Sequence, residues 1–413
     1  MRLEDEYNME ATPDANVVQM VGRTADEAVP AVTEAAAEVM EIQDVMAGGQ
    51  TGSFRERQSK GRAGPEQLLG LMLGGRDGLA GAVRIRGRLT MPSDQAYARL
   101  ADRLRPLGYT PILRKDQDGQ GEVLLAVLCQ LRAARQRVAL ALTLFGLTAV
   151  SCLYVGALYA EGRAIGELPT WLPDGLPFAA SLLAILLCHE FGHYLVARRL
   201  GVPTSLPYFL PLPISPFGTL GSVINMTAPP RNRRQLLAIA TAGPLAGLIV
   251  ALPVLWIGLS QSHLTRWAPG TMGQEGNSLL YLLIKYLQFG LWLPSAALHT
   301  DVQINSVAWA GWTGLFVTAL NLMPVGQLDG GHIFDALAGE RAALIMFWVV
   351  LGGMALLCIF WPSWLLWVGL IFLFGRLRVP PLDDVTVLTP AQRALAVAML
   401  IVFVLVFTPI PLT

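Results

Sequence analysis

An α-helix needs about 20 apolar residues to cross roughly 30 Å of hydrocarbon, and this chain approaches that requirement repeatedly. The segments are 138–160, 177–199, 236–258, 306–325, 343–361, 363–375 and 393–411. Only 15% of the 413 residues are charged and 53% are hydrophobic, against about 25% charged in an average soluble domain. Much of the surface therefore faces lipid. There the backbone must satisfy its own polar groups, which selects helices. The run 343–375 would be about 50 Å long as one helix, and Pro362 at its middle divides it into a hairpin of two spans, the second short.

Segment 278–294 is ambiguous, because Lys285 sits at its centre. If it does not cross, Arg198, Arg199, Arg231, Arg233, Arg234, Arg341, Arg376, Arg378 and Arg393 fall on one side. Arg132, Arg135 and Arg137 join them, while the other side receives little beyond Arg163 and Arg266. That asymmetry is what the positive-inside rule expects. It makes the amino-terminal part cytoplasmic and 278–294 re-entrant or interfacial. The expected fold is an all-α polytopic membrane protein with about six to seven transmembrane helices and re-entrant elements, plus a small N-terminal α/β cytoplasmic domain.

Four regions follow: an acidic, largely disordered segment 1–76; an α/β domain 77–131; a membrane core 132–378; and a linker with a last span, 379–413. Between residues 1 and 45 there are eleven Asp or Glu and two Arg. A helix is expected over about 31–46, with disorder around it. In the α/β unit, 82–91 reads as a strand and Ser93 caps a helix to about 106. Two strands around Asp116–Gly119 make a hairpin. Thirty basic residues balance thirty acidic ones, so net charge gives no sign of a nucleic-acid partner. Cys129, Cys152, Cys188 and Cys358 form no CxxC pair, so neither a disulfide framework nor a zinc knot is expected. The acidic amino terminus has no apolar h-region and reads as neither signal nor transit peptide.

Segment 177–199 contains His189-Glu190-Phe191-Gly192-His193. Spacing of four puts both imidazoles on one helix face, where they can bind one metal. Glu190 lies beside them, able to handle water without being a ligand. The ordinary alternative is a pair of buried, hydrogen-bonded histidines. Against it stands the cost of several kcal/mol for ionisable groups in a span. A catalytic zinc needs three protein ligands and an open position. Segment 321–332, NLMPVGQLDGGH, offers Asp329 as the third. Pro324 and Gly326 break the helix before it, and under the topology above it lies at the depth of His193. An ordinary helix-capping role is the alternative for Asp329. Asp301, Asp335, Glu340, His299 and His332 are weaker rivals.

HEFGH in one span and NLMPVGQLDGGH ending a later one resemble the site-2 protease family of intramembrane zinc metalloproteases. HEFGHYLVARRLGVPTSLPYFLP and AGPLAG (242–247) are similar to a subgroup without a PDZ insertion, the plastid "ethylene-dependent gravitropism-deficient and yellow-green" proteases and their bacterial relatives. The resemblance covers about 137–376. It implies Zn²⁺ held by His189, His193 and Asp329, with Glu190 as the base that activates a zinc-bound water. It also implies a substrate with a transmembrane segment, cut within the lipid bilayer, and a prokaryotic cell membrane as the location. Residues 214–227 read as a glycine-flanked hairpin whose edge could hold unwound substrate, with Gly218, Gly221 and Asn321 as candidate substrate-binding residues. A prenyl-peptide type of membrane protease would want a glutamate ligand, and Glu275 and Glu340 lack the setting. A metal transporter or an inactive scaffold is the reading from another class.

Overall fold

The computed structural model describes residues 25–47, 82–116, 121–129, 136–226, 228–266, 275–375 and 380–412. The chain divides into two compact units. The first takes residues 1–131 with 382–386, and the second takes 132–381 with 387–413.

In the first unit, helix α1 (Ala25–Ala37) leads into strand β1 (Met40–Ala47), followed by β2 (Val83–Leu89), α2 (Ser93–Leu104), β3 (Tyr109–Lys115) and β4 (Glu122–Leu128). The sheet order is β1-β2-β4-β3 with every neighbour antiparallel. Strands β2 and β3 are therefore parallel, joined by α2 with β4 inserted between them, a split βαβ arrangement. Tyr97, Leu100 and Leu104 of α2 are buried with Ile85, Ile112 and Leu124 of the sheet.

One expectation is corrected here. The segment 31–46 is not one helix. The helix ends at Ala37, and Met40–Ala47 pairs with β2. Alanine and glutamate content favours a helix there, but pairing with β2 overrides propensity. Residues 1–24 and 48–81 lie outside the described residues. Beyond β3 the chain adds a short parallel pairing: Leu113 N donates to Leu382 O (2.8 Å), and Asp384 N donates to Leu113 O (3.1 Å). Asp383, fully buried, accepts from Val385 N at 2.9 Å and Thr386 N at 3.2 Å. The linker expected at the start of 379–413 gave no sign of this pairing.

The second unit is mostly helical. It contains α3 (Val138–Glu161), α4 (Leu176–Arg199), the ribbon β5 (Tyr208–Pro211) and β6 (Thr219–Val223), and α5 (Arg233–Ser260). Then come β7 (His263–Arg266), α6 (Leu279–Phe289), β8 (Thr300–Gln303) and α7 (Ser306–Asn321). The last elements are α8 (Asp329–Ala338), α9 (Glu340–Leu357), α10 (Trp364–Phe374) and α11 (Pro390–Val406). Among the described residues, four helical stretches are long and apolar enough to cross a membrane: 138–161, 172–199, 233–260 and 340–357. The protein is an integral membrane protein on that evidence. The other expected spans correspond to shorter helices.

Helices α4, α5 and α7 form the centre, and small residues let them approach. A Cβ on Gly192 would stand 2.6 Å from Ala242 O, and one on Gly311 2.6 Å from Leu255 Cα. Apolar surface gives no driving force between helices in lipid, so such close backbone packing carries the association.

The ambiguous segment resolves by burial. Helix α6 has 11 residues, about 16 Å at 1.5 Å per residue, too short to cross. Ser278 Oγ accepts from Tyr281 N (3.2 Å) at its start, and Gly290 ends it with φ +70°. Lys285 is 0% exposed, its Nζ 3.6 Å from Asp301 Oδ1 and 4.6 Å from the Tyr281 ring centre. The lysine that made the segment ambiguous is inside the protein. Asp301→Ala should remove one of the two carboxylates facing that ammonium, the other being Glu275, and destabilise the protein, read as a lower denaturation midpoint in detergent. Lys285→Met combined with Asp301→Leu should recover most of the loss. Equal midpoints for the single and double variants would contradict the pairing.

Candidate metal centre

Helix α4 holds His189 and His193 one turn apart, their ring centres 5.0 Å from one another. Asp329 is the first residue of α8, delivered by the turn after α7. The turn is tight because two glycines follow the aspartate. A Cβ on Gly330 would run into the Leu322 carbonyl, and one on Gly331 would meet Gly326 O at 2.5 Å. Gly326 takes φ +60°, and its Cβ position is 2.6 Å from Gly375 Cα. A bulkier turn would hold Asp329 away from α4.

The result is a nearly equilateral triangle of donors. His193 Nε2 lies 3.2 Å from His189 Nε2 and 3.2 Å from Asp329 Oδ2, and His189 Nε2 lies 3.3 Å from the same oxygen. Tetrahedral bonds of about 2.0–2.1 Å place neighbouring ligand atoms about 3.3 Å apart. The three groups thus already have the spacing of three corners of a zinc-sized site. The tautomer fits as well. His193 Nδ1 lies 2.8 Å from Ile239 O. A carbonyl can only accept, so Nδ1 carries the proton and Nε2 presents its lone pair to the triangle. Among the described residues this is the one group of three or more His, Cys, Asp or Glu set to hold an ion.

Helix α5 supplies the floor. Its residues Ile239, Gly243 and Gly247 recur every fourth position along one stripe. A Cβ on Gly243 would overlap the His193 imidazole, and one on Gly247 would stand 3.1 Å from His189 Nδ1. The two glycines therefore make the room in which the rings lie.

Around the triangle is a cavity of about 310 Å³, lined by Glu190, Asn321, His332, Gln327, Thr204 and Ser222 among others. Glu190 is 7% exposed and stands outside the donor triangle. The Asn321 amide nitrogen is 3.2 Å from His189 Nε2. Thus His189, Glu190, His193, Asn321 and Asp329 line one cavity, and His332 joins them. Gly218 and Gly221 do not line the cavity. The first, at φ +73°, is seated on α3, where its Cβ would stand 2.7 Å from Cys152 Cα and its carbonyl accepts from Ser151 Oγ (2.6 Å). The second, at φ +100°, faces open space. Residues Asp301, His299, Asp335, Glu340 and Glu275 also stand away from the cavity lining.

Residues 177–359 match the protein family described as Peptidase family M50. The matched segment runs from the start of α4 through α9 and includes all three donors. Among curated relatives, "Probable zinc metalloprotease EGY2, chloroplastic" from Arabidopsis thaliana is 31% identical over 275 residues, 65% of this chain and 48% of that protein. "Probable zinc metalloprotease EGY1, chloroplastic" from the same plant is 34% identical over 247 residues, 57% of this chain and 43% of its own. "Probable zinc metalloprotease EGY3, chloroplastic" from Oryza sativa subsp. japonica is 29% identical over 297 residues, covering 66% and 47%. The chain spans about half the length of these relatives. No solved structure gives a significant match.

Thr204, Ser222, Gln327 and the Ile239 carbonyl escaped the sequence reading. Only the period-four glycine stripe could have pointed to Ile239. Alanine normally stabilises a helix interior relative to glycine by about 0.5–1 kcal/mol. Gly243→Ala should nevertheless lower bound divalent metal several-fold, by elemental analysis of purified protein, while Gly352→Ala, whose Cβ meets nothing within 4 Å, leaves it unchanged. Equal metal in both variants would remove the steric role assigned to Gly243.

Proposed function

We propose that this chain is a zinc metalloendopeptidase that hydrolyses peptide bonds in or beside the transmembrane segments of other membrane proteins. The observation that carries the reading is the donor triangle, with edges of 3.2–3.3 Å, set on a bilayer-length helix with Glu190 beside it. The peptidase family of residues 177–359 and the zinc named in the relatives' titles support it. Residues His189, His193 and Asp329 would hold the ion, which supplies Lewis acidity and makes water nucleophilic near neutral pH. Glu190 accepts the proton of the attacking water and returns it to the leaving amine. Asn321 offers its amide to charge that develops on the carbonyl oxygen.

A membrane-spanning substrate hides its carbonyls in its own helix, so it must enter unwound. Consecutive residues Ser222, Val223 and Ile224 all line the cavity. Adjacent side chains of a strand point to opposite faces, so a cavity touched by both Ser222 and Val223 meets the end of β6 along its edge, with Ile224 just beyond the strand. That supports docking of an extended substrate segment beside β6. Gly218 then acts by seating the ribbon on α3 rather than by touching substrate. The sidedness of the arginines supports a cytoplasmic first unit, and the location proposed is a prokaryotic cell membrane, while the curated relatives are named chloroplastic. A transporter or an inactive scaffold fits less well, since the cavity retains Glu190 beside a complete donor set.

In liposomes carrying a tagged single-span substrate, Glu190→Gln should lower cleavage by at least about 10²-fold while retaining stoichiometric zinc. Equal cleavage by wild type and variant would refute the role of Glu190. Gly218→Val should lower folded yield as well as cleavage, by size-exclusion profile, because its Cβ meets the α3 backbone. A well-folded but inactive Gly218→Val protein would return that residue to the substrate-binding set.

A further inference from the structure

Helix α5 contains Pro244 immediately after Gly243. Proline has no N–H, so a proline inside a helix leaves the carbonyl four residues earlier without its helical donor. For Pro244 that carbonyl belongs to Ala240, and Ala240 lines the cavity beside the donor triangle. The neighbouring Ile239 carbonyl already bonds outward, to His193 Nδ1 at 2.8 Å, so backbone oxygens of this turn are reachable from the site. Pro253, on the same helix, frees the carbonyl of Ile249 instead, which belongs to a residue 71% exposed and outside the cavity.

We propose that Pro244 is a positioning residue that keeps the Ala240 carbonyl open as a hydrogen-bond acceptor for a backbone N–H of the unwound substrate. This rests on the proteolytic reading and extends it to the polarity of the substrate contact. A peptide segment drawn out of its helix exposes N–H donors as well as carbonyls. In an apolar setting each unpaired one is costly. The cavity wall made by Leu236, Ile239 and Ala240 has no side-chain acceptor of its own. A carbonyl released by proline supplies one without placing another charge near the triangle, and it selects a donor, since a carbonyl cannot donate.

The test measures binding rather than turnover. A synthetic apolar peptide of single-span length, in detergent micelles, is titrated into the Glu190→Gln protein. Each backbone amide in turn is replaced by an ester, which removes one N–H. One ester position should weaken binding about three- to tenfold, the range of a single neutral hydrogen bond. That position-specific loss should vanish when Pro244→Ala restores the helical N–H, and persist in Pro253→Ala. An ester profile that is flat with Pro244 in place, or the same profile with and without Pro244→Ala, overturns the proposal. The first arm does so even where Pro244→Ala fails to fold. Cleavage of the parent peptide by wild-type protein is scored separately. Its absence would count against proteolysis, while the ester profile still decides the acceptor.

Discussion

Three electron-rich atoms stand within 3.3 Å of one another in the interior of a membrane protein, and the rest of the second unit is arranged to hold them there. Two imidazoles and a carboxylate would drift apart or titrate away in a loose setting. Their spacing is enforced by backbone contact instead: α4 against α5 through Gly192, Gly243 and Gly247, and α8 folded back on α7 through Gly330 and Gly331. The first contact places the two imidazoles and the second the carboxylate. The Ile239 carbonyl then orients a ring that packing alone would leave free to flip.

Lipid as solvent explains much of what surrounds the site. Broken backbone is tolerated at membrane depth only where protein or a wet cavity covers it. The turn between α7 and α8 meets that condition by packing Gly326 against Gly375. Lys285 obeys the same rule by a different route, fully buried beside Asp301 and Tyr281. Both are polar interruptions of apolar sequence. One serves the metal centre, and the other closes a short helix on the protein.

The metal centre was legible in the sequence because its residue types are scarce in apolar helices and their spacing is chemically restrictive. His189 and His193 share a helix, so their proximity follows from periodicity. Asp329 required a second premise, that α4 and α7 end at the same depth. The supporting cast was not legible. Gly218 and Gly221 look alike in the sequence, yet one packs on α3 and the other faces open space. Only tertiary contact distinguishes them. In the first unit, strand β2, helix α2 and the β3–β4 pair followed their patterns. Strand β1 and the pairing at Leu382–Asp384 did not, because each is specified by a distant strand edge rather than by its own residues.

The most direct test is X-ray absorption at the zinc edge of the purified, metal-loaded protein in detergent. The account predicts a first shell of nitrogen and oxygen at about 2.0–2.1 Å, with imidazole scattering from two rings and no sulfur. A shell containing sulfur at about 2.3 Å, or one lacking imidazole scattering, would show that His189, His193 and Asp329 do not share the ion.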